Sequence, residues 1–184
     1  DWSSDVCSSD LEKAFGPQWH TPEALDETGI ARTIDAFVQA AKRAVRLGIE
    51  VIELHMTHGY LVHQFFSPLS NMRVDHYGGS LENRMRFGLR LMDEVYAAVP
   101  KSTAVGVRIA ASDWMDGGVT VNDAVTFTAK LKERGAAYAC VSSGGLDPAA
   151  QVKAGPNYQV GFAAEIKKKT GITTRDRKST RLNS

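Results

Sequence analysis

The predicted order of elements along this chain, a helix followed by three strand–helix pairs, constrains its fold more than any other feature. Apolar residues recur at helical spacing from Ile30 to Leu47, with Thr28 placed to cap the helix and Gly48 to end it. The short β-branched run IEVIEL that follows is typical of a buried strand. Because successive strands joined through helices run parallel, this order predicts a parallel sheet covered by helices.

The later helices carry similar start and stop signals. Ser80 begins the second helix, and the segment AVGVRI after it is the second strand. Thr120 and Asp123 form a capping-box pattern at the start of the third helix, which Gly135 ends. A third strand, AYACVSS, precedes the last helix, which is expected over residues 158–169.

Two architectures satisfy this alternation, a (β/α)8 TIM barrel and an open doubly wound sheet. No GxGxxG or GxxxxGK[ST] pattern follows any strand, so the phosphate loops usual in open sheets are absent from the sequence. Polar residues follow each strand instead, namely His55 and His58, then Arg108 and Ser112, then Ser142 and Ser143. Because barrels collect their chemistry at the C-terminal ends of several strands, the sequence favours the barrel.

Two histidines and a tyrosine, His55, His58 and Tyr60, lie in the stretch HMTHGY directly after the first strand. Two imidazoles and a phenol at the rim of a sheet can donate hydrogen bonds or a proton to a bound molecule. A metal site is a second interpretation, although HExxH is absent and no third ligand is obvious nearby. A structural role in hydrogen bonding at the rim is the third.

Arg108 lies inside the otherwise apolar strand GVRIAA. Burying an unpaired guanidinium is very costly, so this side chain must find an anion, a carboxylate or an electron-rich ring. A salt bridge to a strand carboxylate such as Glu53 and a cationic contact to a cofactor satisfy the requirement equally well.

The connecting loops are rich in polar residues and glycine. The longest is expected over residues 55–79. The segment SPLSNMRVDHYGGSLENRMRF, which extends from this loop into the next helix, suggests a structural role, with a turn at Gly78 and Gly79 and with Arg84 or Arg86 paired to loop carboxylates. The SSGG stretch after the third strand suits either close approach of a flat ligand or a tight turn. No GxSxG elbow exists, so a serine nucleophile is not favoured.

Composition narrows the class of protein. The 184 residues are 43% hydrophobic and 23% charged, as in an ordinary globular domain. Lys+Arg 22 against Asp+Glu 21 gives a net charge of +1, so no bulk field recruits nucleic acid or an anionic membrane. No apolar run approaches the roughly 20 residues that span a bilayer. Cys7 and Cys140 show no pairing pattern, which favours a reducing, cytoplasmic location.

The two ends break the pattern. After GITT a further unit needs an apolar strand, but RDRKSTRLNS cannot form a buried parallel strand. The start, DWSSDVCSSDL, is polar and without periodicity, and both ends resemble translated sequencing-adapter read-through. We therefore expect a partial-barrel domain at residues 12–174 between two non-native or disordered flanks, residues 1–11 and 175–184.

The stretches HGYLVHQFFSPLSN and DHYGGSLENRMRF resemble the flavin-dependent Old Yellow Enzyme family, the NADH:flavin oxidoreductases. The resemblance continues through GVRIAASDW, VSSGGL and GPNYQVGFAAEIKKKTGI, and the paired histidines are similar to those of its bacterial ene-reductases. It implies a central fragment of the family's barrel. The fold class is then a partial (β/α)8 TIM barrel, roughly helix 3 to helix 6, which lacks the first and last strands.

The resemblance also implies FMN as the cofactor, NAD(P)H as the hydride donor and a small electron-poor alkene as the substrate. Carried over by motif, His55 and His58 donate hydrogen bonds to the carbonyl or nitro oxygen of that substrate. Tyr60 corresponds to the donor of a proton to the α-carbon, on the face opposite the hydride. Arg108 corresponds to the arginine that contacts the pyrimidine edge of the flavin.

Departures from the family pattern limit what the isolated chain can do. Met56 and Thr57 replace small residues between the histidines, a change expected to matter little. The early strands with flavin-edge contacts and the late strands whose loops bind the FMN phosphate have no counterpart. An inactive truncated barrel is therefore the alternative to an active enzyme, with a metal-dependent barrel hydrolase as a further alternative. The sequence is compatible with a homo-oligomeric full-length parent and does not decide it.

Overall fold

The computed structural model describes residues 23–176, which form one parallel sheet and its flanking helices. In chain order the elements are α1 (Glu27–Arg46), β1 (Val51–Met56), α2 (Leu61–Phe66), α3 (Leu81–Ala98), β2 (Ala104–Ala110), α4 (Val121–Glu133), β3 (Tyr138–Ser142), α5 (Val160–Thr170) and β4 (Thr173–Asp176). The sheet order is β1-β2-β3-β4, and every neighbouring pair is parallel, which confirms the predicted α/β fold. The flank predicted at residues 1–11 lies outside the described residues, as do residues 177–184.

The strand order places the long helices on one face of the sheet. Because β1 to β4 advance in one direction and parallel crossovers are right-handed, each connecting helix falls on the same side. Neighbouring helices contact one another in the order α1, α3, α4, α5, as a single layer does. A doubly wound sheet instead reverses its strand order and carries helices on both faces. Within the described residues the arrangement is that of a barrel segment, as predicted.

The two faces of the sheet differ in chemistry, because alternate side chains of a strand point to opposite sides. The face beneath the helices is apolar and buried, and consists of Leu54, Met56, Val105, Val107, Ile109, Ala139 and Val141. The opposite face carries Glu53, His55, Arg108, Tyr138, Cys140 and Ser142. Burial beneath the helices fixes the register of the strands, and the register then determines which polar side chains are neighbours.

Two of the predicted helix starts are confirmed. The Ser80 hydroxyl accepts a hydrogen bond from the Asn83 amide at the start of α3. At the start of α4 the Thr120 hydroxyl accepts from the Asp123 amide, and the Asp123 carboxylate accepts from the Thr120 amide at 2.9 Å. The reciprocal pair satisfies two backbone donors that the first turn of a helix leaves without partners.

The prediction that Thr28 caps α1 is wrong, because the N-cap is Asp26. Asp26 has the extended backbone that a cap requires, and its carboxylate accepts from the Gly29 amide at 2.6 Å. Thr28 is the second residue inside the helix. At the other end Gly48 has φ 79, the left-handed conformation expected of it.

The predicted loop at residues 55–79 contains more regular structure than expected. β1 continues through Met56, so His55 is a strand residue rather than a loop residue. The helix α2 then follows the turn at once, and its residues Val62, Phe65 and Phe66 are buried against the core. Its six residues carry apolar side chains on more than one face, so the sequence lacks the helical spacing of apolar residues from which a helix could be predicted.

A fourth parallel strand, β4, follows α5 and includes Arg175 and Asp176, the first described residues of the C-terminal polar stretch. Because β4 is not buried, it does not contradict the expectation that this stretch forms no buried parallel strand. β4 pairs with β3 from the Tyr138–Thr173 register pair to the Val141–Asp176 pair. Its residues are alternately exposed and half-buried, so a polar sequence is tolerated. The predicted boundary at residue 174 therefore falls inside a strand. Whether residues 175–184 are foreign to the protein stays a prediction.

We expect Thr120→Ala to lower the free energy of unfolding by about 1 kcal/mol, because it leaves an amide of the first turn of α4 without its partner. Thr126→Ala removes the same group from an exposed position inside α4 and is the matched control. Since alanine has the higher helix propensity, the control should be neutral or slightly stabilising. Urea unfolding followed by circular dichroism measures both. Equal losses in the two variants would contradict the capping role.

Candidate functional site

Five polar residues meet at the C-terminal ends of β1, β2 and β3, and we call them the rim site: His55, His58, Tyr60, Arg108 and Ser142. His55 and Arg108 are register partners on adjacent strands. Ser142 ends β3, one step further along the same face. His58 and Tyr60 belong to the turn between β1 and α2. The structure therefore brings the four predicted site residues to one edge of one face.

The His55 ring lies in contact with the imidazole of His58 and with the phenol of Tyr60. The ring centroids of His55 and His58 lie 5.2 Å apart, and those of His55 and Tyr60 lie 5.0 Å apart. His58 Nε2 and Ser142 Oγ are 2.6 Å apart, and this hydrogen bond orients the imidazole towards the end of β3. Both histidines are half-buried, whereas the Tyr60 side chain is exposed. The three rings thus offer hydrogen-bond donors to a single small space.

The backbone of the turn adopts an unusual conformation. His58 has φ 58 and Gly59 has φ 76, so two successive residues are left-handed. Such a conformation is costly for a residue with a Cβ, and it persists only where the surroundings determine it. At Gly59 a Cβ would also lie 2.4 Å from the Gly145 carbonyl oxygen. The turn therefore packs directly on the SSGG loop after β3.

Sequence reasoning missed a buried pair directly behind the turn. His63 Nε2 and Asp113 Oδ1 are 2.8 Å apart, and both side chains are fully buried. The other imidazole nitrogen, Nδ1, accepts from the Gly59 amide at 2.9 Å. Ser67 Oγ donates to Asp113 Oδ2 at 2.6 Å, and the Val119 amide donates to the same oxygen at 2.8 Å. A histidine within the apolar stretch LVHQFF was the available sequence signal for one member of this pair.

Burial and hydrogen bonding act in opposite directions on Asp113. Burial raises the pKa of its carboxyl group, but the hydrogen bond from His63 and its electrostatic attraction lower it, with further lowering by Ser67 and the Val119 amide. The net result is a pKa below the ordinary value. The carboxylate is therefore held ionised inside the protein by its partners.

Arg108 forms the salt bridge that was one of its two predicted roles. Its Nη2 lies 2.5 Å from Glu53 Oε1, and Glu53 Oε2 accepts from Arg175 at 2.7 Å. Burial raises the pKa of Glu53, but the hydrogen bond from Arg175, the charge of Arg108 and a hydrogen bond from Tyr138 leave it below its ordinary value. Arg108 Nε is nevertheless buried without a hydrogen-bond partner among the described residues. The bridge satisfies only part of the guanidinium.

Arg84 and Arg86, in the segment SPLSNMRVDHYGGSLENRMRF, have partners that differ from the expectation. Arg84 donates to the carbonyls of Phe66 and Gly79, and Arg86 donates at 2.8 Å to the carbonyl of His76. Loop carboxylates are not their main partners, because the loop folds back and presents its backbone oxygens to α3. The structural role of the segment itself is consistent with these contacts.

Two further features concern residues 23–176 as a whole. Among them, no three His, Cys, Asp or Glu side chains are grouped so that they could hold a metal ion. None of the helices formed by these residues is long and apolar enough to cross a membrane.

The chain is similar to known flavin oxidoreductases. Residues 3–172 match the family model of the NADH:flavin oxidoreductase / NADH oxidase family. The NADPH dehydrogenase of Geobacillus thermodenitrificans is 44% identical over 162 residues, which cover 87% of this chain and 46% of that protein. The NADPH dehydrogenase of Bacillus subtilis is 42% identical over 161 residues, 88% of this chain and 47% of that protein. A solved structure of morphinone reductase superposes with a TM-score of 0.69 at 29% identity, covering 86% of this chain and 41% of the other.

The chain therefore belongs to the NADH:flavin oxidoreductase / NADH oxidase family, which confirms the resemblance. It spans about half the length of the NADPH dehydrogenases that it matches. The family match begins at residue 3, inside the flank predicted at residues 1–11. FMN and NAD(P)H are the cofactors of this family, as the resemblance implied.

The rim site fits the electron-rich edge of a flavin. Arg108 Nε, a buried donor, leaves a hydrogen bond unmade, and an isolated buried N–H is costly. Ser143 Oγ, in the loop after β3, is likewise buried without a partner among the described residues. Carbonyl oxygens and ring nitrogens of a bound isoalloxazine are acceptors of the kind that these donors require.

We expect Gly59→Ala to lower the free energy of unfolding by about 3 kcal/mol, because it adds a left-handed alanine and a collision with the Gly145 carbonyl. Gly48→Ala is the matched control, since Gly48 has φ 79 and open space around its Cβ position. The control should lose only about 1 kcal/mol. Urea unfolding measures both losses. A Gly59 loss no larger than that of Gly48 would show that the turn is not packed as described.

Asp113→Asn tests whether the buried Asp113 carboxylate makes the stability of the fold depend on pH. Because the folded pKa of Asp113 is lowered, its carboxylate stabilises the fold above its ordinary value of 3.8, and this stabilisation is lost as the pH falls through the folded pKa. Asp113→Asn has no ionisable group at this position, so its stability lacks this dependence on pH. The difference in free energy of unfolding between the two proteins should therefore shrink from about pH 6 to about pH 3. Urea titrations at both pH values measure it, and a constant difference would be inconsistent with a lowered pKa.

Proposed function

We propose that the chain is a segment of an FMN-dependent oxidoreductase that uses NAD(P)H to reduce activated C=C bonds in electron-poor alkenes such as enones. The observation that carries the proposal is the contact of two imidazoles and a phenol, with centroids 5.0 to 5.2 Å apart, beside a strand arginine. Hydrogen-bond donors converging on one point are what a developing oxyanion requires.

In this proposal His55 and His58 bind the carbonyl oxygen of the substrate. Their hydrogen bonds polarise the conjugated double bond and stabilise the enolate-like charge that develops when the β-carbon is reduced. The hydrogen bond between His58 and Ser142 holds one ring in place before substrate arrives, so little reorganisation accompanies the reaction.

Tyr60 supplies the proton. FMN, when bound and reduced, supplies the hydride that reaches the β-carbon. The Tyr60 hydroxyl then donates a proton to the α-carbon, so that one hydride and one proton together saturate the double bond. Its exposed position lets the phenol regain a proton from solvent. Arg108 would hold the pyrimidine edge of a bound flavin, and its positive charge would stabilise the negative charge that gathers there on reduction.

We propose further that the isolated 184-residue chain neither closes a barrel nor retains FMN, because the described sheet has four strands and a (β/α)8 barrel has eight. A complete barrel can be made by joining residues 12–174 to the flanking parts of the Geobacillus thermodenitrificans NADPH dehydrogenase; we call it the completed barrel. Stoichiometric yellow flavin on the isolated chain would overturn this point. The cytoplasmic location and any homo-oligomeric assembly stay predictions.

In the completed barrel, replacing His55 and His58 together by alanine should weaken binding of a para-substituted phenol by about 100-fold. A phenolate mimics the enolate oxyanion, and each hydrogen bond to a charged oxygen contributes roughly 1.5–3 kcal/mol. Titration of the flavin absorbance with the phenol measures the dissociation constant. Enone reduction should fall with it.

Tyr60→Phe is the matched variant for this experiment. It should keep phenol binding and flavin reduction by NADPH but slow enone reduction by roughly 100-fold, because only proton transfer is removed. Unchanged phenol affinity and enone turnover in the double histidine variant would contradict the proposed function. Failure of the completed barrel to bind FMN would contradict it as well.

A further inference from the structure

We propose that His63 is a positioning residue that holds the turn carrying His58 and Tyr60 in its binding conformation. This inference rests on the proposed function and names a residue that supports the same site. His63 is fully buried, so it acts through the backbone of the turn rather than by touching a substrate.

Gly59, the residue between His58 and Tyr60, is held through both of its backbone polar groups. Its amide donates to His63 Nδ1 at 2.9 Å. Its carbonyl accepts from Gln64 Nε2 at 2.7 Å. Both partners lie on α2, which packs against α3 and β1. The position of the turn is therefore transmitted from a helix that is anchored in the core.

Asp113 determines which imidazole nitrogen of His63 can accept. Nδ1 receives the Gly59 N–H and so carries no proton, which places the ring proton on Nε2, directed at Asp113 Oδ1 at 2.8 Å. An ionised carboxylate accepts only, so it selects this arrangement. Ser67 and the Val119 amide fix the carboxylate from the other side. The loop after β2 thereby orients a residue that controls the turn after β1.

The turn needs such support because its backbone is left-handed at two successive residues. If His63 accepted no hydrogen bond, the Gly59 amide would be left without its acceptor in a part-buried position, and the turn could relax towards an ordinary conformation. Relaxation would move the His58 ring away from Ser142 and the Tyr60 ring away from His55. A displacement of about 1 Å in a binding group can cost on the order of 100-fold in rate.

Two substitutions of His63 separate positioning from stability. The side-chain oxygen of asparagine can occupy the place of Nδ1, so His63→Asn keeps an acceptor for Gly59 and loses the contact with Asp113. The side-chain amide of glutamine can reach the place of Nε2, so His63→Gln keeps a donor to Asp113 and loses the acceptor. Both variants are made in the completed barrel, with Thr128→Val as a control that removes a buried hydroxyl inside α4, away from the turn.

Phenol affinity, the KM and kcat of enone reduction, flavin content and melting temperature are measured for each variant. We expect His63→Gln to weaken phenol binding about tenfold or more while FMN is retained, and His63→Asn to weaken it about threefold or less. Thr128→Val should lower the melting temperature without changing phenol affinity. If affinity followed melting temperature in all three variants, His63 would be a structural residue only, and the inference would be wrong.

A measurement on the unsubstituted completed barrel decides the matter even if a His63 variant does not fold. Nitrogen-15 spectra at neutral pH should show the proton of His63 on Nε2 and a slowly exchanging Gly59 amide. A proton on Nδ1, or rapid exchange at Gly59, would overturn the inference. A barrel that binds FMN and depends on His55 and His58 while showing either result would leave the proposed function intact and refute only the role of His63.

Discussion

The parallel register of the sheet is the constraint on which the rest of the structure depends. Burial of Leu54, Val107 and Val141 beneath one layer of helices fixes how β1, β2 and β3 align. Since a shift by one residue would exchange the two faces of a strand, the same burial places His55 beside Arg108 on the opposite face. The chemistry of the rim is thus a consequence of packing on the other side of the sheet.

The polar contacts at the rim depend on the conformation of the turn that carries His58 and Tyr60, and on the buried residues behind that turn. The His55 ring contacts those of His58 and Tyr60, but the turn that carries His58 and Tyr60 has a left-handed backbone, which its residues do not intrinsically favour. The buried pair of His63 and Asp113 supplies the preference from behind. Removal of His63 would leave the buried Asp113 Oδ1 and the Gly59 amide each without a hydrogen-bond partner, so the pair serves to specify the conformation of the turn.

The parts of the fold that follow from local patterns could be predicted from the sequence. Patterns in neighbouring residues predict the capping box at Thr120, the helix start at Ser80 and the strand that contains Arg108, and the structure confirms each. The helix α2 could not be predicted this way, because its stability comes from burial of Phe65 and Phe66 rather than from periodicity. The contact of His63 with Asp113 joins residues 50 positions apart, and only the register of β1 and β2 brings them together.

Arg108 has one role that the structure shows and one that we propose. Its salt bridge to Glu53 offsets the free-energy cost of burying the charged guanidinium, yet its Nε remains without a partner among the described residues. Arg175, on β4, also binds the Glu53 carboxylate. Arg175 belongs to the flank that the sequence analysis predicts to be non-native or disordered. Glu53 fixes the guanidinium on one side, and the Nε without a partner leaves a donor for the flavin contact that we propose at this position.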